Sequence, residues 1–489
     1  MFRPTFLAAA LGFTTLLSLS ALAGPSGGNV VAGNANIRTN GPQTDIVQTT
    51  SRAVIDWNQF NVGRNESVNF RQPNAQSSTL NRVTGGDPSQ ILGTITATGQ
   101  VILLNPNGVL FGRDARVDVG GLIVTTSKLA TDDYMAGRLN FSAIDRPGGS
   151  IVNLGTISVR DGGLAAFVAP HVRNDGLIYA KLGNVTLASG SSFTVDLAGD
   201  GLVSLAVRDA DVRGLVDVQG NAINALVENT GTLATPSGRT VVMTAAFATG
   251  LVNNAINLGG IVRADRVVHD KNGAIVLSAA NGNVNLTGEI AAPGGTFTVR
   301  RDQTLTSLDG DTAAALGRVL RAGTNVAVEA TGRIDLADRV DGRGGASGAG
   351  LRLVGASVGL RHDIYTEDGA VFVKATNGAA EMLRPGTDIV TGRAWPMILT
   401  GNGDIGIEAS RNVMASHLVT KGNVKIESFG GNVNIVASLG GDLGGTSPLG
   451  SLTVRALGNP DTRDIGNISE IYDVTVKAGG SIDLAATRN

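Results

Sequence analysis

Short runs in which apolar and polar residues alternate, separated by glycine and asparagine, fill the chain from about residue 150 onward. Gly183-Asn184-Val185-Thr186-Leu187 returns as Gly282-Asn283-Val284-Asn285-Leu286, Gly422-Asn423-Val424-Lys425-Ile426 and Gly431-Asn432-Val433-Asn434-Ile435. Polar variants occur at 332–336, 403–407 and 480–484. Alternation puts every second side chain on one face, so it predicts strands, with Asn and Gly turning the corners. A second unit, Asn153-Leu154-Gly155-Thr156-Ile157, returns at Asn174-Asp175-Gly176-Leu177-Ile178, offset by 21 residues, and Gly403 to Gly422 spans 19. Offsets of that size suit one turn of a solenoid. The step from Asn229 to Asn254 is 25, which predicts loops of variable length leaving the coils.

The expected fold class is all-β, a right-handed parallel β-helix, because stacked coils pair every backbone edge except those at the ends. A series of antiparallel β-sandwich domains also shows short strands and frequent turns. Coil-like spacing and the scarcity of aromatic residues favour the solenoid. The best helical candidate is 311–322, which carries Ala313, Leu316, Val319 and Leu320 and reads as a loop excursion from the coil.

Composition sharpens this picture. Glycine supplies 68 of 489 residues, about twice the usual share, and aromatic residues only 4%, so the core must be thin and built from Val, Ile, Leu and Ala. Hydrophobic residues at 42% argue against disorder. A net charge of −2 gives no general attraction to nucleic acid.

The first residues read as an export signal over 1–23. Arg3 is the positive start, an apolar run follows, and Ala21-Leu22-Ala23 gives the small-x-small pattern before cleavage. The mature chain is therefore expected outside the inner membrane. With no cysteine, its stability must come from burial and backbone pairing.

Val101-Ile102-Leu103-Leu104 and Val109-Leu110-Phe111 flank the tetrapeptide Asn105-Pro106-Asn107-Gly108. Pro106 presets the second position of a turn, Asn107 tolerates a left-handed backbone, Gly108 adds freedom, and Asn105 can bond the backbone ahead of it. The turn is either an ordinary hairpin or corner, or part of something more specific. The flanking runs suit strands buried on both faces, although periodicity alone also admits a helix.

Further motifs stand around it in a fixed order. Trp57-Asn58-Gln59-Phe60-Asn61-Val62-Gly63 is followed by 66–70, by Asn81-Arg82-Val83-Thr84-Gly85, by Ile91-Leu92-Gly93-Thr94-Ile95, by the turn, and by Gly121-Leu122-Ile123-Val124-Thr125-Thr126. The order resembles the secretion domain of filamentous haemagglutinin-type exoproteins, the haemagglutination-activity domain family, over roughly half the chain.

The resemblance implies a two-partner secretion domain over 24–265, a β-helix with an N-terminal cap and extra-helical strands, followed by a β-helix extension over 266–489. It further implies an outer-membrane β-barrel transporter with periplasmic docking domains as partner, and final placement outside the cell or on its surface. Asn105, Pro106, Asn107, Gly108, Asn81 and Arg82 match the family's motifs, whose role is folding and secretion rather than catalysis. An adhesin or surface structural protein with a host-cell or glycan receptor is the expected activity. The strand at 480–484 is followed by only five residues, which leaves open a shortened exoprotein.

Other chemistry is sparse. His171, His269, His362 and His417 lack metal-ligand spacing and read as surface or loop residues, so neither a metal nor a cofactor is expected. Gly355-Ala356-Ser357-Val358-Gly359 fits a nucleophile elbow on paper, but no strong helix follows. Asp309-Gly310-Asp311 and Asp209-Ala210-Asp211 are the carboxylate pairs for the competing reading, a polysaccharide-active β-helix enzyme. They would have to lie in one groove.

Overall fold

The alternation is realised as stacked coils. A computed structural model describes residues 24–145, 148–196, 201–206, 216–236, 240–245, 254–264, 274–279, 283–303, 305–383, 395–430, 433–435, 439–440, 452–457 and 482–487. Residues 1–23, read above as an export signal, and the Asp209-Ala210-Asp211 pair lie outside the described residues, as does His269.

A first face runs the length of the solenoid. Arg52–Trp57, Ser78–Val83, Gln100–Leu104, Gly121–Thr125, Leu164–Ala169 and Asn184–Ser189 pair parallel in chain order. The same pairing continues to Leu452–Leu457 and Ile482–Thr487. A second face stacks Ser89–Ile91, Val109–Phe111, Ser150–Asn153, His171–Asn174, Ala225–Asn229, Asn254–Leu258 and Asn283–Leu286. The third runs from Gln43–Gln48 to Glu289–Ala291. One coil therefore takes the first, second and third faces in turn, and the fold is a parallel β-helix.

Two departures from parallel pairing close the N-terminal end. Asn29–Ala32 pairs antiparallel with Arg52–Trp57, and Ala35–Asn40 forms a hairpin with Gln43–Gln48. These strands form the expected cap. At this end Trp57 meets Phe60 edge-on at 5.5 Å, and farther along the core Phe111 stacks on Phe167 at 5.9 Å.

Along each strand, alternate residues face the interior. Val101 and Leu103 enter the long core, whereas Ile102 and Leu104 face outward into a second cluster. That cluster is roofed by the short helix Thr131–Met135 and by an antiparallel sheet of Asn140–Phe141, Ser192–Asp196 and Gly201–Ala206. Phe141 and Phe193 stack in the roof at 4.3 Å. Both sides of the strand are thus buried, as the apolar run before the turn requires.

Between the second and third faces, close packing sets the sequence. A Cβ on Gly176 would lie 2.1 Å from the Gly155 carbonyl oxygen, and Gly231, Gly260 and Gly288 repeat this down the stack. Beside them Asn153, Asn174 and Asn229 form a buried ladder, each Nδ2 donating to the next Oδ1 at 2.7 Å. The 21-residue and 19-residue offsets coincide with pairing in register. The Asn229-to-Asn254 step does not: Asn229 pairs with Leu258, and Asn254 with Ala225. Likewise the similar runs at Asn184 and Asn283 lie on different faces, because any half-buried strand after a corner shows the same alternation.

The helix Gly310–Arg321 corrects another expectation. It is no excursion: Ala313, Leu316, Val319 and Leu320 are buried in the core, and Asp309 caps its start by accepting from the Thr312 N–H at 3.1 Å. The helix sits in the wall between Glu289–Ala291 and Val340–Asp341, where one coil lacks its third strand. The second face restarts just before it, at Leu305–Leu308, as a separate sheet of six strands, and the third restarts beyond it, at Val340–Asp341, as a sheet of five. Gly317 lets the helix approach, since a Cβ there would lie 2.4 Å from the Asp341 carbonyl oxygen.

Because Leu316 plugs the wall, Leu316→Ala is expected to cost about 2–4 kcal/mol, and to speed amide exchange in Val340–Asp341 more than in Thr94–Ala97. Unchanged urea unfolding would show the helix to be external decoration.

Candidate functional site

The six motif residues come together at one end of the first face. Arg82 pairs in register with Leu104, so the Asn81-Arg82 motif and the turn lie on neighbouring rungs. The turn is a corner between Gln100–Leu104 and Val109–Phe111, not a hairpin.

Asn105 is fully buried and organises that corner. Its Oδ1 accepts from the Asn107 N–H at 2.9 Å, and its Nδ2 donates to the Asp87 carbonyl and to Ser89 Oγ, both at 3.0 Å. The Gly108 N–H closes the turn on the Asn105 carbonyl at 3.0 Å. One amide thereby shapes its own turn and clamps it to the corner of the preceding coil. Asn107 adds a second clamp through Nδ2 to the Gly85 carbonyl at 2.9 Å. The Pro106 carbonyl accepts from the Gly149 N–H of the next coil at 2.9 Å.

The left-handed position falls on Gly108, with φ of 106°, and not on Asn107. A Cβ on Gly108 would also sit 2.6 Å from the Ser150 carbonyl oxygen, so both conformation and space demand glycine.

Asn81 points inward between Ile55 and Leu103, where an apolar residue would ordinarily sit. Its Oδ1 accepts from Trp57 Nε1 at 3.0 Å, giving the buried indole its partner. Arg82 faces outward. It holds Asp56 with two hydrogen bonds, 2.7 and 3.1 Å, and donates to Thr131 Oγ1 at 2.9 Å, tying the roof helix to the face beneath. In the same helix Tyr134 shares a 2.7 Å hydrogen bond with Ser78 Oγ, and burial pushes its hydroxyl up to about 12. Trp57 stands in the quoted motifs. Asp56, Thr131 and Tyr134 carried no sequence signal, because only the fold shows what lies over Arg82.

The remaining candidates disperse. Asp309 is a helix cap, with Asp311 in the first turn. Ser357 begins a strand directly after Leu351–Gly355, a strand-to-strand corner rather than an elbow. His171 is not at the surface: it is buried at the start of a second-face strand, 3.6 Å from Glu228. His362 and His417 are half-buried.

Asn105→Ala removes the donor and acceptor together and is expected to cost about 2–3 kcal/mol. Asn105→Asp keeps the acceptor for Asn107 but turns a buried carboxylate oxygen toward the Asp87 carbonyl, and should lose at least as much; wild-type stability of either variant in thermal unfolding would contradict the shared clamp. The Tyr134 hydroxyl is neutral in both folded and unfolded chains below pH 10, so its contribution is complete there. Between pH 10 and 12 the unfolded chain ionises first, and stability falls by up to roughly 2–3 kcal/mol. Tyr134→Phe should flatten that alkaline loss, measured by denaturant unfolding across pH 9 to 12.

The TPS secretion domain family model matches residues 21–292. A heme/hemopexin-binding protein of Haemophilus influenzae (strain ATCC 51907 / DSM 11121 / KW20 / Rd) is 34% identical over 274 residues, covering 54% of this chain and 28% of the relative. A second heme/hemopexin-binding protein of Haemophilus influenzae is 30% identical over 290 residues, covering 54% and 29%. The chain thus matches less than a third of the length of these relatives. The crystal structure of the HMW1 secretion domain from Haemophilus influenzae aligns with a TM-score of 0.49 at 23% identity, over 94% of this chain and 100% of that one. With more than half of its 489 residues matched by the family model, the chain belongs to the TPS secretion domain family of two-partner secretion exoproteins.

Proposed function

We propose that the chain is an exoprotein carried across the outer membrane by a partner β-barrel transporter with periplasmic docking domains, and that it then acts as a filamentous-haemagglutinin-like adhesin or surface structural protein. Residues 24–265 are the export module and 266–489 the extension that presents the surface. The observation that carries export is the family match over 21–292. Support for the surface role comes from the first face, whose parallel pairing runs on past the matched region to Ile482–Thr487. At about 4.8 Å per rung, its sixteen parallel strands make a rod roughly 70 Å long. A host-cell or glycan receptor is the partner such a rod would meet. In this reading the chain is not an enzyme.

The six motif residues serve export by making the first coils fold. A chain emerging in extended form can add each coil to the one already finished, and each rung's burial and hydrogen bonds then favour outward movement. The clamps at Asn81 and Asn105 give the first coils a fixed register on which later ones build.

Leu104 lies inside that template, paired on both sides with Arg82 and Thr125. Leu104→Pro removes a ladder N–H from a central strand. It is expected to abolish the protein in culture medium when co-expressed with its transporter, while synthesis stays unchanged. Wild-type amounts in the medium would overturn the template account.

A further inference from the structure

Alternation on the second face puts Val152 outside, between its register partners Leu110 and Arg173, yet it is fully buried. Something must cover it, and the segment 216–222 is fastened beside it, at Ser150 and Arg173 on the same face. Val216 bridges Ala222 to make a tight loop, and Asp217 closes it by accepting from the N–H groups of Gln219 and Asn221, each at 2.8 Å. Burial opposes ionisation of Asp217, but the Asn221 side chain and these backbone groups hold its carboxyl below the ordinary value.

The loop is fastened to rungs formed much earlier in the chain. The Val218 N–H donates to Ser150 Oγ at 2.7 Å across 68 residues, and Arg173 Nη1 meets Asp217 Oδ2 at 3.5 Å. Arg173 is itself held by Asp175. The Val218 side chain occupies the space over Gly108, where a Cβ would come within 2.5 Å of Val218 Cγ1. The bare glycine is therefore a seat for valine as well as a turn residue.

We infer that residues 216–222 are an intramolecular latch that occludes the outer side of the Asn105-Pro106-Asn107-Gly108 corner, leaving that side open to the transporter only until the latch has emerged. The argument is one of order along the chain. Chain direction sends 105–108 out before 216–222, so the corner, Leu110 and Val152 present an apolar patch while the coil that ends at Ala245 is still missing. Closure replaces the transporter's contact with Val218 and releases the folded module. This step rests on the export reading above.

The absence of native cysteine allows a direct test on the full chain. With Val152→Cys as a thiol probe, the secreted protein is expected to resist a maleimide. Adding Asp217→Asn and Val218→Asp should speed labelling at least tenfold, while a Val159→Cys probe in the inner core stays protected in both backgrounds. Equal labelling with and without the latch substitutions would overturn the latch, and so would loss of protection at residue 159, which would make the segment a general support of the core.

Release is read in cells that make the transporter. After synthesis is stopped, the latch variant should remain bound to the transporter in several-fold greater proportion than wild type. Normal release would overturn the occlusion role. Normal secretion of Asn105→Ala would instead sink the export reading of the corner, leaving the thiol result to stand on its own.

Discussion

Each coil takes its backbone partners from the coil before it, and this dependence governs the rest of the molecule. The interior strands of a parallel solenoid have their N–H and C=O groups satisfied only when a rung lies on both sides. The first rung has no predecessor. The antiparallel strand Asn29–Ala32 and the hairpin Ala35–Asn40 with Gln43–Gln48 supply one, and the hairpin's tight turn makes its pairing inexpensive in entropy. Three large side chains, Trp57, Phe60 and Phe70, pack together at this end, where the first coils cannot lean on a stack already built.

The same dependence explains where polar groups are tolerated inside. Asn81, Asn105 and the ladder of Asn153, Asn174 and Asn229 are fully buried, and each finds its partners on a neighbouring coil or corner. A buried amide without a partner would cost more than an apolar residue gains. These positions therefore fix which coil lies on which, something Val and Ile, repeating at nearly every inward position, cannot do.

Much of this was legible in the chain. Alternation and corner residues predict strands and coils, and the 21-residue offset between Asn153 and Asn174 is the true register. Local pattern could not say which face a strand occupies, so the runs at Asn184 and Asn283 look alike yet pair in different sheets. Helical periodicity marked the residues of Gly310–Arg321, but an apolar stripe does not say whether it faces an outer surface or plugs a wall. At the corner, the glycine was legible as a turn residue. Its second role as a seat for Val218 was not, because that contact joins segments far apart in the chain.

A stack of near-identical rungs could slip by a whole coil while keeping its apolar columns aligned, and slippage would expose no hydrophobic surface to oppose it. Unlike side chains must therefore mark the rungs. Asn81 accepts only from Trp57, Asn105 reaches Ser89 and the Asp87 carbonyl, and Arg82 requires Asp56 below and Thr131 above. A one-coil shift would bury Asn81 against an aliphatic neighbour and strand the Trp57 N–H, costing about 1–3 kcal/mol for each unpaired group. Such pairs matter most in the first few coils, where no stack yet holds the register for whatever is added next.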